Sequence, residues 1–324
     1  MPFPAPTRRA LLAGAALLLP GAARASGFPE RNVRLIVPFT PAGQTDLIAR
    51  LVAQRLQEGW GRPVLVENRP GGNALLGADL AAKAPPDGHT LLAITLAHAI
   101  NASLFPQAPY DFLKDLTTLS VLGSLPLVVV VRAEAPWQDL PALLEAARRQ
   151  RLNGGSSGTG TPPHIGLELL RRAAGAGEAL QHAPYRGGAP SITDLVAGNI
   201  DLVVSNLPEC LPQIQAGRLR ALAVTGPARH PLLPAVPTTA ELGAPGLAIT
   251  SWTAIQAPAG LPAPLAERLS ADLRASLTEP GLVRRAGELG FSLSGLGLED
   301  SRRFVAAETA RYASLVSEAQ IRPD

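Results

Sequence analysis

Residues 33–56 read VRLIVPFTPAGQTDLIARLVAQRL, and this stretch decides the fold class. Its first five residues are apolar apart from one arginine, which predicts a strand at 33–37. From Leu47 to Leu56 the apolar residues recur at helical spacing, which predicts a helix. A strand that passes into a helix through a short glycine-containing loop is the first half of a βαβ unit.

The same alternation continues toward the C-terminus. Further strands are predicted at 63–67, 89–96, 125–131, 200–204, 219–224 and 248–252, and further helices at 74–82, 142–151, 165–174, 264–277 and 299–318. This order predicts an α/β protein with two lobes, each a parallel or mixed sheet flanked by helices, joined by two crossover strands. We expect lobe one to comprise 26–125 and 246–324, and lobe two to comprise 126–245. Ligands of such folds bind in the cleft at the carboxyl ends of the strands.

Residues 1–25 have the pattern of an export signal. Arg8 and Arg9 precede a short apolar run at 11–19, and Ala23-Arg24-Ala25 matches a cleavage site. The paired arginines favour a twin-arginine signal over an ordinary Sec signal. We therefore expect the mature chain to begin near Ser26 and to lie in the periplasm.

Charge and cysteine content exclude several classes of protein. Residues 1–25 hold three of the 29 basic residues and none of the 26 acidic ones, so the mature chain has 26 of each. A neutral chain without a basic run argues against nucleic acid or membrane-surface binding. Cys210 is the only cysteine, which rules out an intrachain disulfide. We expect a monomer.

The loop between the first strand and the first helix is the first candidate binding segment. Gln44 or Thr45 suits the helix cap, and Asp46 in the first turn complements the helix dipole. Unpaired amides at a helix start stabilise a carboxylate, and Gly43 lets a ligand approach the backbone closely. The alternative is a tight, well-capped turn that binds nothing.

A second loop and three shorter segments complete the candidate cleft. The glycine- and hydroxyl-rich loop at 153–164 precedes a helix, so it suits the far end of the same ligand, although a flexible loop without function is the alternative. The other candidates lie at the end of the third strand, in the turn at 184–188, and after the strand at 200–204. The residues concerned are Thr95, His98, Ser156, Ser157, Gly158, Thr159, Tyr185, Gly187 and Asn206.

Catalytic patterns are weak. Residues 154–158 match G-x-S-x-G, but a nucleophile elbow needs a buried strand before the serine and a helix directly after it. Here Arg149-Gln150-Arg151 precedes the motif and a polar loop follows it, so a serine hydrolase at Ser156 is only a remote alternative. The five histidines show no metal-ligand spacing. We expect no catalytic residue, no metal and no cofactor.

Many short motifs occur in an order typical of one family. They are VRLIVPF at 33–39 with Pro-x-Gly-x-x-Asp at 41–46, VENRPG at 66–71, APPDGHTL at 84–91, SSGTG at 156–160 with His164, PYRG at 184–187, GRLRALAV at 217–224, VPTTAE at 236–241 and APAGLP at 257–262. With them, the chain from about Phe28 to Ile321 resembles the Bug-type extracytoplasmic solute receptors of tripartite tricarboxylate transporters.

The resemblance implies a two-lobed periplasmic binding protein fold of type II, a small organic carboxylate as ligand, and membrane transporter subunits as partners. It places one carboxylate on the first loop and the distal part of the ligand on the second loop and the Tyr185 turn. By position, the first group is Phe39, Thr40, Ala42, Gly43, Gln44 and Asp46, and the second is Ser156, Gly158, Thr159, His164 and Tyr185.

Two positions depart from the family pattern. Ala42 stands where relatives usually have the first of two glycines, and Ser205 stands before Asn206 where relatives often have an acid. If the acid of the relatives recognises an amino group of the ligand, its replacement by Ser205 favours a ligand that has no amino group. The sequence leaves open which carboxylate binds, and whether the receptor serves transport or presents its ligand to a signalling partner.

Overall fold

The computed structural model describes residues 27–318 and 321–322, so the predicted export signal lies outside the described residues. The strands are β1 (Val33–Val37), β2 (Val64–Asn68), β3 (Thr90–Thr95), β4 (Leu116–Arg132), β5 (Leu152–Ser156), β6 (Leu180–Pro184), β7 (Leu202–Asn206), β8 (Leu219–Val224), β9 (Thr250–Pro258) and β10 (Ser292–Leu293). The helices are α1 (Gln44–Trp60), α2 (Leu75–Ala82), α3 (Leu96–Leu104), α4 (Leu140–Arg149), α5 (Pro162–Ala174), α6 (Gly188–Ala197), α7 (Leu207–Gln215), α8 (Ala263–Ser276), α9 (Pro280–Glu288) and α10 (Leu298–Glu318).

The long strand β4 joins two mixed sheets. Its first part belongs to a sheet of order β2-β1-β3-β9-β4, with β10 also paired to β4. Its second part pairs with β7 and β8, and β7 continues to β5 and β6. Neighbours β1, β2 and β3 are parallel, as are β5, β6 and β7, whereas β9 and β4 run antiparallel to their neighbours. The predicted α/β class with mixed sheets is confirmed, and we call the two sheets with their helices lobe one and lobe two.

The two connections between the lobes differ in structure. The first is β4 itself, which runs without interruption from one sheet to the other. The second is the segment 225–249, which contains no strand and enters β9 only at Thr250. Five prolines lie in this segment, and proline has no N–H to donate to a strand ladder. The predicted division at 125 and 246 stays a prediction, while the sheets draw on residues 33–126 with 250–293 and on residues 127–224.

Apolar packing follows the pattern read from the sequence. Helix α1 buries Ile48, Val52 and Leu56 against the first sheet, because these residues recur on one face of the helix. One buried cluster contains residues of both lobes, including Leu92 of β3 and Val204 of β7. Among the described residues, no helix has the length and apolar content needed to cross a bilayer.

Strand ends position the candidate site. In lobe one, β1 and β3 lead into α1 and α3, and in lobe two β5, β6 and β7 lead into α5, α6 and α7. Each of these turns exposes the first amides of a helix near the carboxyl end of a strand. The predicted binding loops are therefore strand-to-helix turns.

Candidate functional site: a cleft between the lobes

A cavity of about 480 Å³ lies between the two lobes. From lobe one its lining residues are Pro38, Phe39, Thr40, Gly43, Gln44, Thr45, Pro70, Gly71, Gly72, Asn73, Ala74, Thr95 and Ser251. From lobe two they are Ser157, Gly158, Thr161, Pro162, Tyr185, Arg186, Gly187, Gly188, Asn206 and Glu209. The volume suits a ligand of a few to about a dozen heavy atoms, held from both sides.

The structure brings ten of the sixteen predicted site residues to this lining. They are Phe39, Thr40, Gly43, Gln44, Thr95, Ser157, Gly158, Tyr185, Gly187 and Asn206. Six do not line the cavity: Ala42, Asp46, His98, Ser156, Thr159 and His164. A direct ligand contact by these six stays a prediction. For Asp46, His98, Ser156 and His164, the hydrogen bonds described below give a supporting role instead.

Asp46 holds the first loop in shape. Its carboxylate accepts the Ala42 N–H at 2.9 Å, the Arg50 guanidinium at 2.9 Å and the Asn68 side-chain amide at 2.9 Å. Burial alone would raise the pKa of Asp46, but these hydrogen bonds outweigh it and keep the pKa below its usual value. Ala42 adopts φ +64°, a conformation that favours glycine, so the loop keeps its shape here against local strain.

Gln44 and Gly43 begin α1 at the cavity wall. Gly43 is the N-cap residue and no side chain caps this helix, so the first amides of α1 depend on other partners. The Gln44 side chain donates to the Ser251 hydroxyl at 2.9 Å, which ties the start of α1 to β9. Gly43 and Gln44 thus place the start of α1 at the cavity wall.

His98 belongs to the cap of α3. Its Nδ1 accepts the Thr95 N–H at 3.1 Å, and the Thr95 hydroxyl accepts the Ala97 N–H at 3.1 Å. Burial lowers the pKa of His98 to about 4, so the ring is neutral at physiological pH. The histidine positions Thr95, which does line the cavity.

Side chains of the second loop bind their own backbone. Ser156 Oγ accepts the Gly158 N–H at 3.1 Å, and His164 Nδ1 accepts the Gly160 N–H at 3.2 Å. The Gly187 N–H also donates to the Ser157 carbonyl at 3.2 Å, which joins this loop to the turn before α6. Several amides predicted to face a ligand are therefore already used within lobe two.

The expectation that no buried strand precedes Ser156 is wrong. A largely buried strand, β5, does precede Ser156, and Ser156 Oγ lies 2.6 Å from His182 Nε2. However, α5 begins only at Pro162, and Ser156 is 0% exposed and does not line the cavity. Ser156 is thus buried away from any substrate in the cleft, and its half-buried partner His182 does not line this cavity either.

Glu209 is a cavity-lining residue that the sequence analysis missed. It lies in the first turn of α7, and its carboxyl group accepts the Asn206 side-chain amide at 3.2 Å to each oxygen. Its carboxyl group also lies close to the backbone amides of Asn206 and of Gln44 in the opposite lobe. Burial raises the pKa of Glu209 to about 7, although these donors oppose the shift. The signal that could have identified it is an acid three residues after the predicted site residue Asn206.

Glycines at the rim allow the lobes to touch. A Cβ on Gly187 would lie 2.9 Å from Thr40 Oγ1 of lobe one, and a Cβ on Gly160 would overlap with the Asn101 side chain. The turn at 184–188 was predicted to meet the distal part of the ligand, which stays a prediction; Gly187 of this turn lies against the first loop and Gly188 lies against Glu209. The lobes are therefore closed on each other.

The electrostatics of the lining are simple. Arg186 and Glu209 are the formally charged residues among the lining residues of the described chain. Tyr185 donates its hydroxyl to Asp194 at 2.7 Å, and burial, with Asp194, raises the pKa of Tyr185 to about 12. No group of three or more potential metal ligands occurs within the described ranges.

Comparisons with known proteins point in one direction. Residues 48–321 match the family described as "Tripartite tricarboxylate transporter family receptor". Protein BugT of Bordetella pertussis is 35% identical over 298 residues, which cover 91% of each chain. A structure described as Rpa4515 of R. palustris with adipate has a TM-score of 0.86 and 35% identity, and the match covers 92% of this chain and all of that one. MatC of Rhodopseudomonas palustris with bound malate has a TM-score of 0.82 and 30% identity, covering 89% and 100%.

Proposed function

The chain belongs to the tripartite tricarboxylate transporter receptor family and has its two-lobed fold, and on that premise we propose that it captures a small organic dicarboxylate between its lobes and delivers it to a membrane transporter. It does so without catalysis. The proposal includes a location in the periplasm after removal of the signal at 1–25, which the family's role supports.

The observation that carries the proposal is the cavity between helix starts of opposite lobes. Gly43 at the start of α1 lines it from lobe one, and Gly188 at the start of α6 lines it from lobe two. Helix N-termini stabilise anions through unpaired amides and the helix dipole. Because a ligand gains both sets of contacts only when the lobes are closed, binding and closure are coupled.

The ligands bound in two similar structures support a dicarboxylate as the ligand class. The two similar structures contain adipate and malate, which both carry two carboxylates. Each hydrogen bond to a charged group contributes about 1.5–3 kcal/mol, so a few such bonds, less the ordering cost, reach about −8 kcal/mol or a micromolar Kd. Arg186 at the cavity wall is available to a second carboxylate.

The test is a thermal-shift screen of mono-, di- and tricarboxylates, amines and sugars, followed by calorimetry on the hits. A dicarboxylate at a hundred times its Kd should stabilise the protein by about 2.7 kcal/mol. Gly43→Val should remove this effect and keep the fold, because a Cβ at Gly43 meets nothing closer than 3.6 Å and its φ of −76° suits any residue.

The exposed Gly59 of α1 serves as a control, since a Cβ there meets nothing within 4 Å. Gly59→Ala should leave the screen unchanged. Stabilisation by amines or sugars alone, with no carboxylate active, would refute the proposed ligand class.

A further inference from the structure

Glu209 places a carboxyl group where the ligand carboxylate is expected. It lies close to the Gln44 N–H at the start of α1, and a Cβ on Gly43 would lie 4.0 Å from its Oε1. On the other side, a Cβ on Gly188 would overlap with the same carboxyl group. The group therefore lies between the starts of α1 and α6 and is itself in the first turn of α7.

A second carboxylate at this point meets an electrostatic problem. Two ionised carboxylates a few ångströms apart in a buried site repel each other, and one of the pair is normally protonated. Both carboxyl oxygens of Glu209 accept the Asn206 side-chain amide, so moving the carboxyl group away from the ligand would break these hydrogen bonds. Taking up a proton removes the repulsion and leaves the side chain in place.

We propose that Glu209 makes the cleft bind a dicarboxylate together with one proton, with the Glu209 carboxyl O–H donating to the near carboxylate of the ligand. The inference rests on the proposed function and adds a rule of specificity: the cleft takes a carboxylate and a proton as a unit. The proton comes from solvent on binding and returns to solvent on release.

The surroundings of Glu209 make this proton uptake easy. Its pKa of about 7 in the unliganded cleft means that protonation near neutral pH requires little free energy, and a bound anion raises the pKa further. Burial keeps the neighbouring thiol of Cys210 neutral, with its pKa raised to about 12. Asp46 is directed to Ala42, Arg50 and Asn68.

The turn before α6 contributes the two remaining titratable groups at this end of the cavity. Tyr185 binds Asp194 through its hydroxyl, and Arg186 is an exposed cation at the wall. A tyrosine with a pKa of about 12 does not titrate between pH 6.5 and 8.5. Any strong pH dependence of binding over this range therefore points to Glu209, which the variant below isolates.

The experiment measures adipate binding by isothermal titration calorimetry from pH 6.5 to 8.5, in two buffers of different ionisation enthalpy. If only protonated Glu209 binds, a pKa of about 7 gives a ~25-fold loss of affinity over this range and an uptake of roughly 0.8 proton per ligand at pH 7.5. The same measurement with malate provides a second probe. The wild-type proton count needs no variant and holds even if a variant folds poorly.

Glu209→Gln should bind with an affinity that changes less than threefold over the same pH range and with no proton uptake. Gln also suits the third position of a helix cap, so α7 should keep its start. Glu134→Gln, at an exposed lobe-two carboxylate, is the matched control and should behave as wild type. Circular dichroism and melting temperature check folding of both variants.

The outcomes separate the two proposals. Dicarboxylate binding with pH-independent affinity and no proton uptake would overturn the role of Glu209 and leave the proposed function intact. If wild type binds with a pH-independent affinity and Glu209→Gln binds more tightly than wild type, Glu209 is simply displaced by the ligand, which also overturns its role. Failure of every dicarboxylate to bind wild type and Glu209→Gln at any pH would remove both proposals.

Discussion

Several single side chains near the cleft fix the conformation of the loops that carry them. Asp46, Ser156 and His164 each accept an amide from their own loop, at residues 42, 158 and 160. A buried acceptor that satisfies an amide fixes the loop conformation, and an unsatisfied amide would be costly. Glu209 is different because its carboxyl group lies against the start of α1 in the other lobe, close to the Gln44 N–H.

Ser156→Ala tests a structural against a catalytic role. The variant loses the acceptor for Gly158 N–H and the bond to His182, so its free energy of unfolding should fall by about 1–3 kcal/mol in denaturant titrations. Wild-type protein should not react with a fluorophosphonate probe, because Ser156 is buried outside the cavity.

Ser157→Ala is the control for this pair, since Ser157 lines the cavity and binds only Thr161 through its hydroxyl. Its stability should change less than that of Ser156→Ala. Fluorophosphonate labelling that disappears in Ser156→Ala alone would indicate a reactive nucleophile and contradict the proposed role as a receptor without catalysis.

At the scale of the element, strand-to-helix turns supply many of the residues that line the cavity. The starts of α1, α6 and α7 converge on the Glu209 carboxyl, and each brings the positive end of a helix dipole. In α1 the cap residue is Gly43, with no side-chain cap bond, so the helix start relies on Asp46 to hold the loop. Asp46 therefore fixes the conformation of the same loop on which we propose that the ligand carboxylate binds.

Asp46→Asn should weaken both the loop conformation and the proposed binding of a carboxylate at this loop. Loss of the charge weakens the bonds from Ala42, Arg50 and Asn68, which should lower the free energy of unfolding by about 1–3 kcal/mol and reduce dicarboxylate affinity although Asp46 does not line the cavity. Since the folded-state pKa of Asp46 is depressed, this stabilisation is present above pH 4 and is lost as the pH falls through the folded-state pKa.

Asp300→Asn is matched to this change because Asp300 also lies in the first turn of a helix, α10, but is exposed. It should reduce stability by no more than about 0.3–1 kcal/mol and should not affect binding. Chemical denaturation at pH 7 and pH 3 with calorimetry checks both variants. Equal losses in the two would mean that only the helix dipole matters.

At the scale of the whole molecule, the lobes close through contacts that only glycine permits. Gly160 at the rim of lobe two lies against Asn101 of α3, and Gly187 lies against Thr40 of the first loop. The strand β4 and the irregular segment 225–249 are the two connections between the lobes, so opening requires changes in these segments and at the rim. Closure thus depends on small residues at a few points of contact.

Gly160→Ala should hold the lobes apart. Its Cβ would overlap with the Asn101 side chain, so dicarboxylate affinity should fall at least tenfold although residue 160 does not line the cavity. Small-angle scattering with saturating ligand should give a larger radius of gyration than for wild type.

Gly175→Ala is the matched control, because Gly175 has a similar positive φ (+62° against +75°) but a Cβ there meets nothing within 4 Å. Both variants should lose about 1–2 kcal/mol of stability through backbone strain. Only Gly160→Ala should lose affinity, and equal affinities would show that this contact does not control closure.

Local pattern predicted much of the fold. β1, α1 and β3 follow from apolar runs and helical spacing, and their observed bounds lie close to those predicted. Helix α7 was not predicted, because prolines stand at 208 and 212 and proline normally interrupts a helix. Glu209 was missed with it, since an acid three residues after Asn206 indicates a helix start only where a helix is predicted.

The sequence by itself determined the α/β class and the family, and it identified the turns whose amides and hydroxyls surround the cleft, because these depend on residue types at short spacing. Only the tertiary structure decided which of those amides are already used, and that the carboxyl group of Glu209 meets Gln44 across the cleft. The physical reason is that hydrogen bonds between residues far apart in the chain form only when packing brings the two lobes together. A pattern of residues at short spacing in the sequence therefore does not predict the contact between Glu209 and the start of α1.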